Sequence, residues 1–338
     1  MSTTDSTTAT ARAARVVTVT GDLAPDALGA VMPHEHLLSD FSDGTEPPEP
    51  LTMELLGEVS LGLPNRDNLL LGDEALAVRE ATAFKQAGGG TLVDVTTPDL
   101  GRDPAALRRI AEATGLAVVM GAGRYRPTGS GDAVGLTEEI VRDITEGVDG
   151  VRAGVIGELG ALDPGEPAGR AILVAAARAS AATGAAITLD RSADPATQRR
   201  VLDLLAEEGA DLTRVVVGHC DPLSPRPDEL EPLLERGVFV QFDQLGRLPS
   251  VLSVSDDQDV ATAVVELARR GYAERVLLSQ DVSAKSHLLA YGGGGYGFIL
   301  QQLVHYLRMV GADDALIETV TVRNPRRLLT ITTPKADS

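Results

Sequence analysis

His34 and His36 stand two apart in GAVMPHEH, so on an extended backbone both imidazoles leave the same face and can reach one ion. Neutral imidazole binds zinc and similar metals at about 2.0–2.1 Å. A His-x-His pair alone is a weak signal, since surface or capping histidines explain many such pairs. Here the chain has only five histidines, and three of them, His34, His36 and His219 of VVVGHC, close apolar runs. Glu158 lies in GVIGELG, an otherwise apolar run flanked by glycines. A buried carboxylate without a partner is expensive, so Glu158 requires an arginine or bridges two cations. Asp281 ends VLLSQD and Asp190 ends AAITLD. An Asp in such a place is often only a turn or cap residue. For Asp190 that role is already taken, because Asp194 and Pro195 supply the N-cap and first position of the next helix. Taken singly, each residue has an ordinary structural explanation, and His219 alone reads as a core histidine. Taken together, with Asp190, they are six metal-competent positions that need one mouth.

The elements that would form this mouth are short runs rich in Val, Ile and Leu at 29–36, 91–96, 116–123, 153–159, 185–190, 215–220, 238–243 and 276–281. Stretches such as DPAALRRIAEAT, DPATQRRVLDLLAEEG and VATAVVELARRG separate most of them and have helical spacing of apolar residues. Continuous apolar strands imply burial on both faces, hence a parallel sheet. An open doubly wound sheet gathers its site at one switch point, whereas a barrel draws residues from all round its ring. The polar residues end many different strands: His34 and His36, Glu158, Asp190, His219, Asp243 and Asp281. This predicts an α/β chain folded as a (β/α)8 TIM barrel with a short N-terminal hairpin near Gly21 and Asp22. The expected division is a disordered tail at 1–14, one barrel domain at 15–332 and a second tail at 333–338. The long gap after the first strand, with PPEP and GLPNRDN, reads as an excursion over one face.

Composition narrows the function. A net charge of −19, from 49 acids against 30 bases, argues against nucleic acid or an anionic membrane as partner. The absence of Trp and the paucity of other aromatics leave the core to aliphatic side chains. The lone Cys220 makes no internal disulfide, and the Ser/Thr/Ala-rich start lacks a signal-peptide apolar stretch, so a cytoplasmic protein acting on a small molecule is expected.

Between Val17 and Leu329 the chain resembles the phosphotriesterase family of amidohydrolase-type barrels. The resemblance rests on TVTGDLAPDALGAVMPHEHL, GGGTLVDVTTPDLGRDP, GLAVVMGAGRY, GVIGELG, VVVGHCD, LLSQDVSAKSHLLAYGGGGYG and TVRNPRRLL. It implies a homodimer whose barrels hold one or two divalent metals, zinc first, with manganese, cobalt or iron as alternatives. His34, His36 and Asp281 match ligands of a buried metal, Glu158 the bridging position, and His219 a ligand of a more exposed metal. The implied activity is hydrolysis of lactone, ester or organophosphate bonds by a metal-activated hydroxide that Asp281 orients and deprotonates. Amide hydrolysis would use the same site.

Three positions depart from the family pattern. Asp190 stands where the family has a histidine ligand of the exposed metal; a carboxylate there adds negative charge and favours harder ions such as manganese. YGGGGYGF carries Gly294, Gly297 and Phe298 where polar residues are common. Arg124 replaces an aromatic and would bring positive charge near the substrate. These departures leave a second reading: a barrel with an impaired second metal site, catalytically weak or silent, kept as a binding protein.

Overall fold

The computed structural model describes residues 14–128, 131–248 and 250–332. The tails expected at 1–14 and 333–338 lie, Ala14 apart, outside these residues. Eight parallel strands follow in sequence order around one sheet: β1 (Ala30–Glu35), β2 (Gly89–Asp94), β3 (Ala117–Ala122), β4 (Val155–Leu159), β5 (Ala186–Asp190), β6 (Val215–Gly218), β7 (Phe239–Phe242) and β8 (Val276–Leu278). The ring closes between the segment leaving β8 and β1. There the Asp281 N–H donates to the His34 carbonyl (3.1 Å) and the His34 N–H to Ser279 Oγ (3.0 Å). The (β/α)8 barrel expected from the strand-end polar residues is the fold.

Helices α1 (Glu74–Gln86), α2 (Pro104–Thr114), α3 (Ala133–Thr145), α4 (Pro167–Thr183) and α5 (Pro195–Glu207) cover the outside between successive strands. Their start signals are local. Asp103 and Asp194 each accept backbone N–H groups of the first turn, with Pro at the first position. The connection from β6 to β7 is shorter, two 3-10 turns and the single-turn α6 (Glu231–Leu234), and α7 (Asp257–Arg269) precedes β8. The N-terminal hairpin pairs Val16–Thr18 with Gly21–Leu23. Its turn is therefore Val19–Thr20, earlier than the Gly21–Asp22 position the sequence suggested, and those two residues lie in the second strand.

Two apolar layers explain how the fold aims its chemistry. Val31, Val93, Val119, Val155, Ala186, Val216, Phe239 and Leu277 form a cluster inside the barrel, while Ile187, Leu189, Val217, Val240, Phe242 and Leu278 belong to the layer under the helices. Successive strand residues face opposite sides. The inward series thus runs Ala186, Thr188, Asp190 on β5, Phe239, Gln241, Asp243 along β7, and Leu277, Ser279, Asp281 along β8. The lower rungs are apolar and seal the floor. The upper rungs are polar and all open at the C-terminal end, where barrel sites lie. The excursion after β1, with the short helix Leu56–Ser60 and the pair Ser39–Asp40 with Leu70–Leu71, arches over this end. Among the described residues no helix is long and apolar enough to cross a membrane.

Candidate active site

All six residues singled out as ligands meet at the barrel mouth. His34 and His36 from β1 are fully buried, with ring centroids 5.9 Å apart. Glu158 of β4 lies between them: Oε1 is 3.3 Å from His34 Nε2 and Oε2 3.4 Å from His36 Nε2. Asp281 Oδ1 stands 3.5 Å from His36 Nε2 and 4.0 Å from His34 Nε2. On the other side of Glu158, His219 Nε2 is 3.7 Å from its Oε1 and 3.3 Å from Asp190 Oδ1. Two sets of three donor atoms are close enough to hold one ion each: His34 with His36 and Asp281, and His34 with Glu158 and His219. Asp190 adjoins the second set through His219.

The backbone holds these groups in unusual places. His219 (φ 53°) and Asp281 (φ 45°) are two of the three non-glycine residues with positive φ among the described residues. Such strain persists where surrounding contacts over-determine it. Around His219, the Asp243 carboxylate accepts its backbone N–H (3.0 Å) and lies 2.7 Å from Nδ1. At Asp281, the fully buried Glu35 accepts the N–H groups of Gln280 (2.8 Å) and Val282 (2.9 Å) on either side. The glycine before Glu158 is also required: a Cβ on Gly157, at φ 117°, would come within 2.2 Å of the Thr188 carbonyl of β5.

Second contacts turn the imidazoles. Gln241 Nε2 lies 3.1 Å from His34 Nδ1, Thr96 Oγ1 2.9 Å from His36 Nδ1, and the Tyr296 hydroxyl donates to the His36 carbonyl. With each Nδ1 occupied, the Nε2 atoms face the cluster. There His34 Nε2, His36 Nε2, Glu158 Oε2 and Asp190 Oδ1 are buried without hydrogen-bond partners among the described residues. Orphaned polar atoms on both sides of Glu158 are costly to bury, and cations bound among them would remove the cost.

The electrostatics agree. Burial pulls the histidines down, but Asp281 and Glu158 push His36 up to about 10, and Asp243 with Asp190 push His219 up to about 12. Burial and the neighbouring Glu158 charge hold Asp190 well above the usual carboxylate range. Burial would raise Asp281 too, yet Arg247 and the imidazoles hold it well below that range. The cluster thus gathers excess negative charge and favours positive charge at its centre. His, Glu and Asp donors together suit zinc, manganese and similar divalent ions.

Above the cluster opens a cavity of about 410 Å3, walled by Phe41, Tyr125, Arg247, Leu248, Asn68 and His287. Arg247, on the loop after β7, bonds the Asp281 carboxylate through Nη2, while its buried Nε has no partner. The glycine-rich loop fixes that arginine. The Gly294 N–H donates to the Gly246 carbonyl (3.2 Å), and a Cβ on Gly246 would come within 2.6 Å of the Phe298 ring. Gly294 and Phe298 therefore clamp the β7 loop rather than supply polar groups. Arg124 is not at the cavity: it pairs with Glu139 of α3 at 2.7 Å, and the next residue, Tyr125, presents the aromatic instead.

Sequence reasoning used Asp243 only as a strand-end polar residue, without a role in the site, and gave none to Gln241 or Arg247. For the first two the signal was present in FVQFDQ, where polar residues at alternate positions share the inward face. Arg247 carried no comparable signal.

A model of the phosphotriesterase family matches residues 14–329. The chain belongs to the phosphotriesterase family. It is 32% identical to the N-acetyltaurine hydrolase of Mus musculus, over 94% of this chain and 98% of that protein. Among solved structures it is similar to a resiniferatoxin-binding protein from Rhodobacter sphaeroides, with 37% identity, a TM-score of 0.85 and coverage of 93% and 94% of the two chains. A mutant of a phosphotriesterase-like lactonase of Deinococcus radiodurans is 28% identical with a TM-score of 0.74, covering 93% of this chain and 99% of its own. With relatives of this kind matched along nearly their whole length, the chain is a phosphotriesterase-family hydrolase.

Proposed function

We propose that this phosphotriesterase-family chain hydrolyses a small amide or ester, lactones included, and that one or two divalent metals serve it. His34, His36 and Asp281 would hold the buried ion, Glu158 would bridge, and His219 with Asp190 would hold the second. The observation that carries the reading is the set of orphaned metal-competent atoms on His34, His36, Glu158 and Asp190, gathered on either side of Glu158. Such an ion, when bound, acidifies a coordinated water to a pKa of about 7 and polarises the bond to be cleaved.

The chain's own residues complete the chemistry. Asp281 is kept ionised by Arg247 and is the base placed to take the proton of the attacking water and return it to the leaving group. Asp243 fixes the His219 tautomer and ring direction. The excursion after β1 covers the mouth with Phe41, Leu56 and Val59 and limits water. The Arg247 guanidinium beside the cavity supports a substrate carrying a carboxylate or sulfonate beside the scissile bond. N-acetyltaurine, the acetamide of an aminosulfonate cleaved by the mouse relative, has that chemistry, so it heads the candidates.

The test is turnover of N-acetyltaurine, a γ-lactone, an aryl ester and a phosphotriester by the purified chain, before and after chelation and re-addition of zinc or manganese. We expect at least one to be cleaved, with loss on chelation and in His34→Ala. No turnover of any, or turnover that survives both treatments, would sink the reading. A binding protein with a weak or silent site is favoured only by Asp190 and by the likeness to a resiniferatoxin-binding protein. The convergence of the other five ligand positions argues for catalysis.

A further inference from the structure

A second cavity, of about 600 Å3, opens between α5 and α6, outside the ring of candidate ligands. Its volume suits a small organic ligand. Leu202, Leu223 and Leu233 give it an apolar wall, and Gln198, Arg191 and Arg199 stand along the same cavity.

The polar groups here are left over. Gln198 is only 3% exposed; its Oε1 accepts the Ser192 N–H at 2.8 Å, but its buried Nε2 has no hydrogen-bond partner among the described residues. A buried amide donor without an acceptor carries a desolvation cost and asks for one. Among the described residues Arg191 reaches only carbonyls, Ser192 at 3.1 Å and His219 at 3.4 Å. Arg199 is exposed and makes no ion pair among the described residues. The two other arginines of this cavity are matched, Arg226 by Glu229 (2.6 Å) and Arg236 by Asp203 (2.8 Å). In a chain with 49 acids and 30 bases, two arginines without a carboxylate beside one cavity mark a place built for an anion.

We propose that this cavity binds an amphipathic carboxylate of the medium-chain fatty-acid class. Its head accepts from Gln198 Nε2 and the two guanidinium groups, and its chain lies along the three leucines. A neutral apolar ligand would leave the donors unpaired, and a small inorganic anion would leave the leucine wall wet. A carboxylate with an apolar tail answers both, and arginine's forked donors fit its head.

The experiment is calorimetric titration of the full-length, metal-supplied protein with decanoate, with decanol and decylamine as controls. The expected result is saturable one-to-one binding of decanoate with a Kd below about 1 mM, and binding of either control at least about tenfold weaker. Arg199→Glu, a surface change that leaves the melting temperature and hydrolytic turnover intact, weakens decanoate about tenfold or more. Gln198→Leu, which removes the orphaned donor, weakens it as well. Absent saturable binding, equal binding of decanol, or unchanged decanoate affinity in both variants overturns the proposal. So does a dimer in sedimentation that Arg199→Glu dissociates, which would assign this face to a second copy of the chain.

Discussion

Asp243→Asn is the substitution that most directly tests how the candidate site is held. The Asp243 carboxylate is fully buried and serves both halves of the cluster. It accepts the strained His219 N–H at 3.0 Å, lies 2.7 Å from His219 Nδ1 and 3.5 Å from His34 Nδ1, and accepts from Gln241 Nε2 at 2.9 Å. Asparagine keeps the shape and one acceptor oxygen but loses the charge that fixes His219 Nδ1 as a donor and makes its Nε2 a better ligand. Losing such an outer partner costs about 10–100-fold in metal affinity. At about 1.4 kcal/mol per decade that is about 1.4–2.7 kcal/mol, comparable with one charge-assisted hydrogen bond. Competition with a chromophoric chelator, run on wild type and variant with zinc and with manganese, reads the ratio directly. Circular dichroism on the same samples confirms that folded protein is compared. Metal affinity within about twofold of wild type would refute the claim that Asp243 orients the ligands, since twofold is well below the smallest loss expected.

Metal uptake should release protons, because His36 and His219 are pushed up and Asp190 is held well above the usual carboxylate range without a cation; affinity therefore rises with pH, and Asp190→Asn lowers both the protons released, measured by calorimetry in buffers of different ionisation enthalpy, and the slope with pH. Gly294→Ala places a Cβ about 2.9 Å from the Gly246 carbonyl and 3.0 Å from Phe298; overpacking of this kind costs about 1–3 kcal/mol in denaturant unfolding, and by shifting Arg247 it lowers turnover as well. Cys220 is fully buried in the layer under the helices and burial pushes its thiol up, so a disulfide reagent should label no thiol in the native protein and one in denaturant; rapid native labelling would show that this layer opens readily.

The strands and the six candidate ligand positions were legible because their signals are local. Eight aliphatic runs, most of which carry a metal-competent side chain at or near their C-terminal end, point both to a parallel barrel and to the end at which its site lies. Asp190 could be separated from a cap role because Asp194 and Pro195 already formed the cap, and the structure shows the Asp194 carboxylate accepting the N–H groups of Ala196 and Thr197. Arg124 was misread for the opposite reason. Its consequence depends on Glu139, fifteen residues on along α3, and a one-residue difference in direction sends Tyr125 to the cavity in its place. The clamp of Gly294 and Phe298 on Gly246 was likewise illegible, since it joins two loops through the absence of side chains at Gly246 and Gly294, and absence has no periodicity to read.

Charge explains why this cluster tolerates an aspartate at 190. Glu158, Asp190, Asp243 and Asp281 place four carboxylates around three imidazoles within one buried mouth. An added carboxylate beside Glu158 is repelled by it, which is why Asp190 favours its protonated form when no cation is present. Arg247 supplies the opposing charge from above, on Asp281 rather than on Asp190, and the clamp of the glycine-rich loop keeps it there. The arginine therefore has two consequences from one position. It offsets negative charge in the site, and it keeps Asp281, the carboxylate proposed as the base, in the ionised form that accepts a proton. The glycines at 246 and 294 support both effects at a distance from the reacting groups, because without their close backbone contact the loop could not present Arg247 to Asp281.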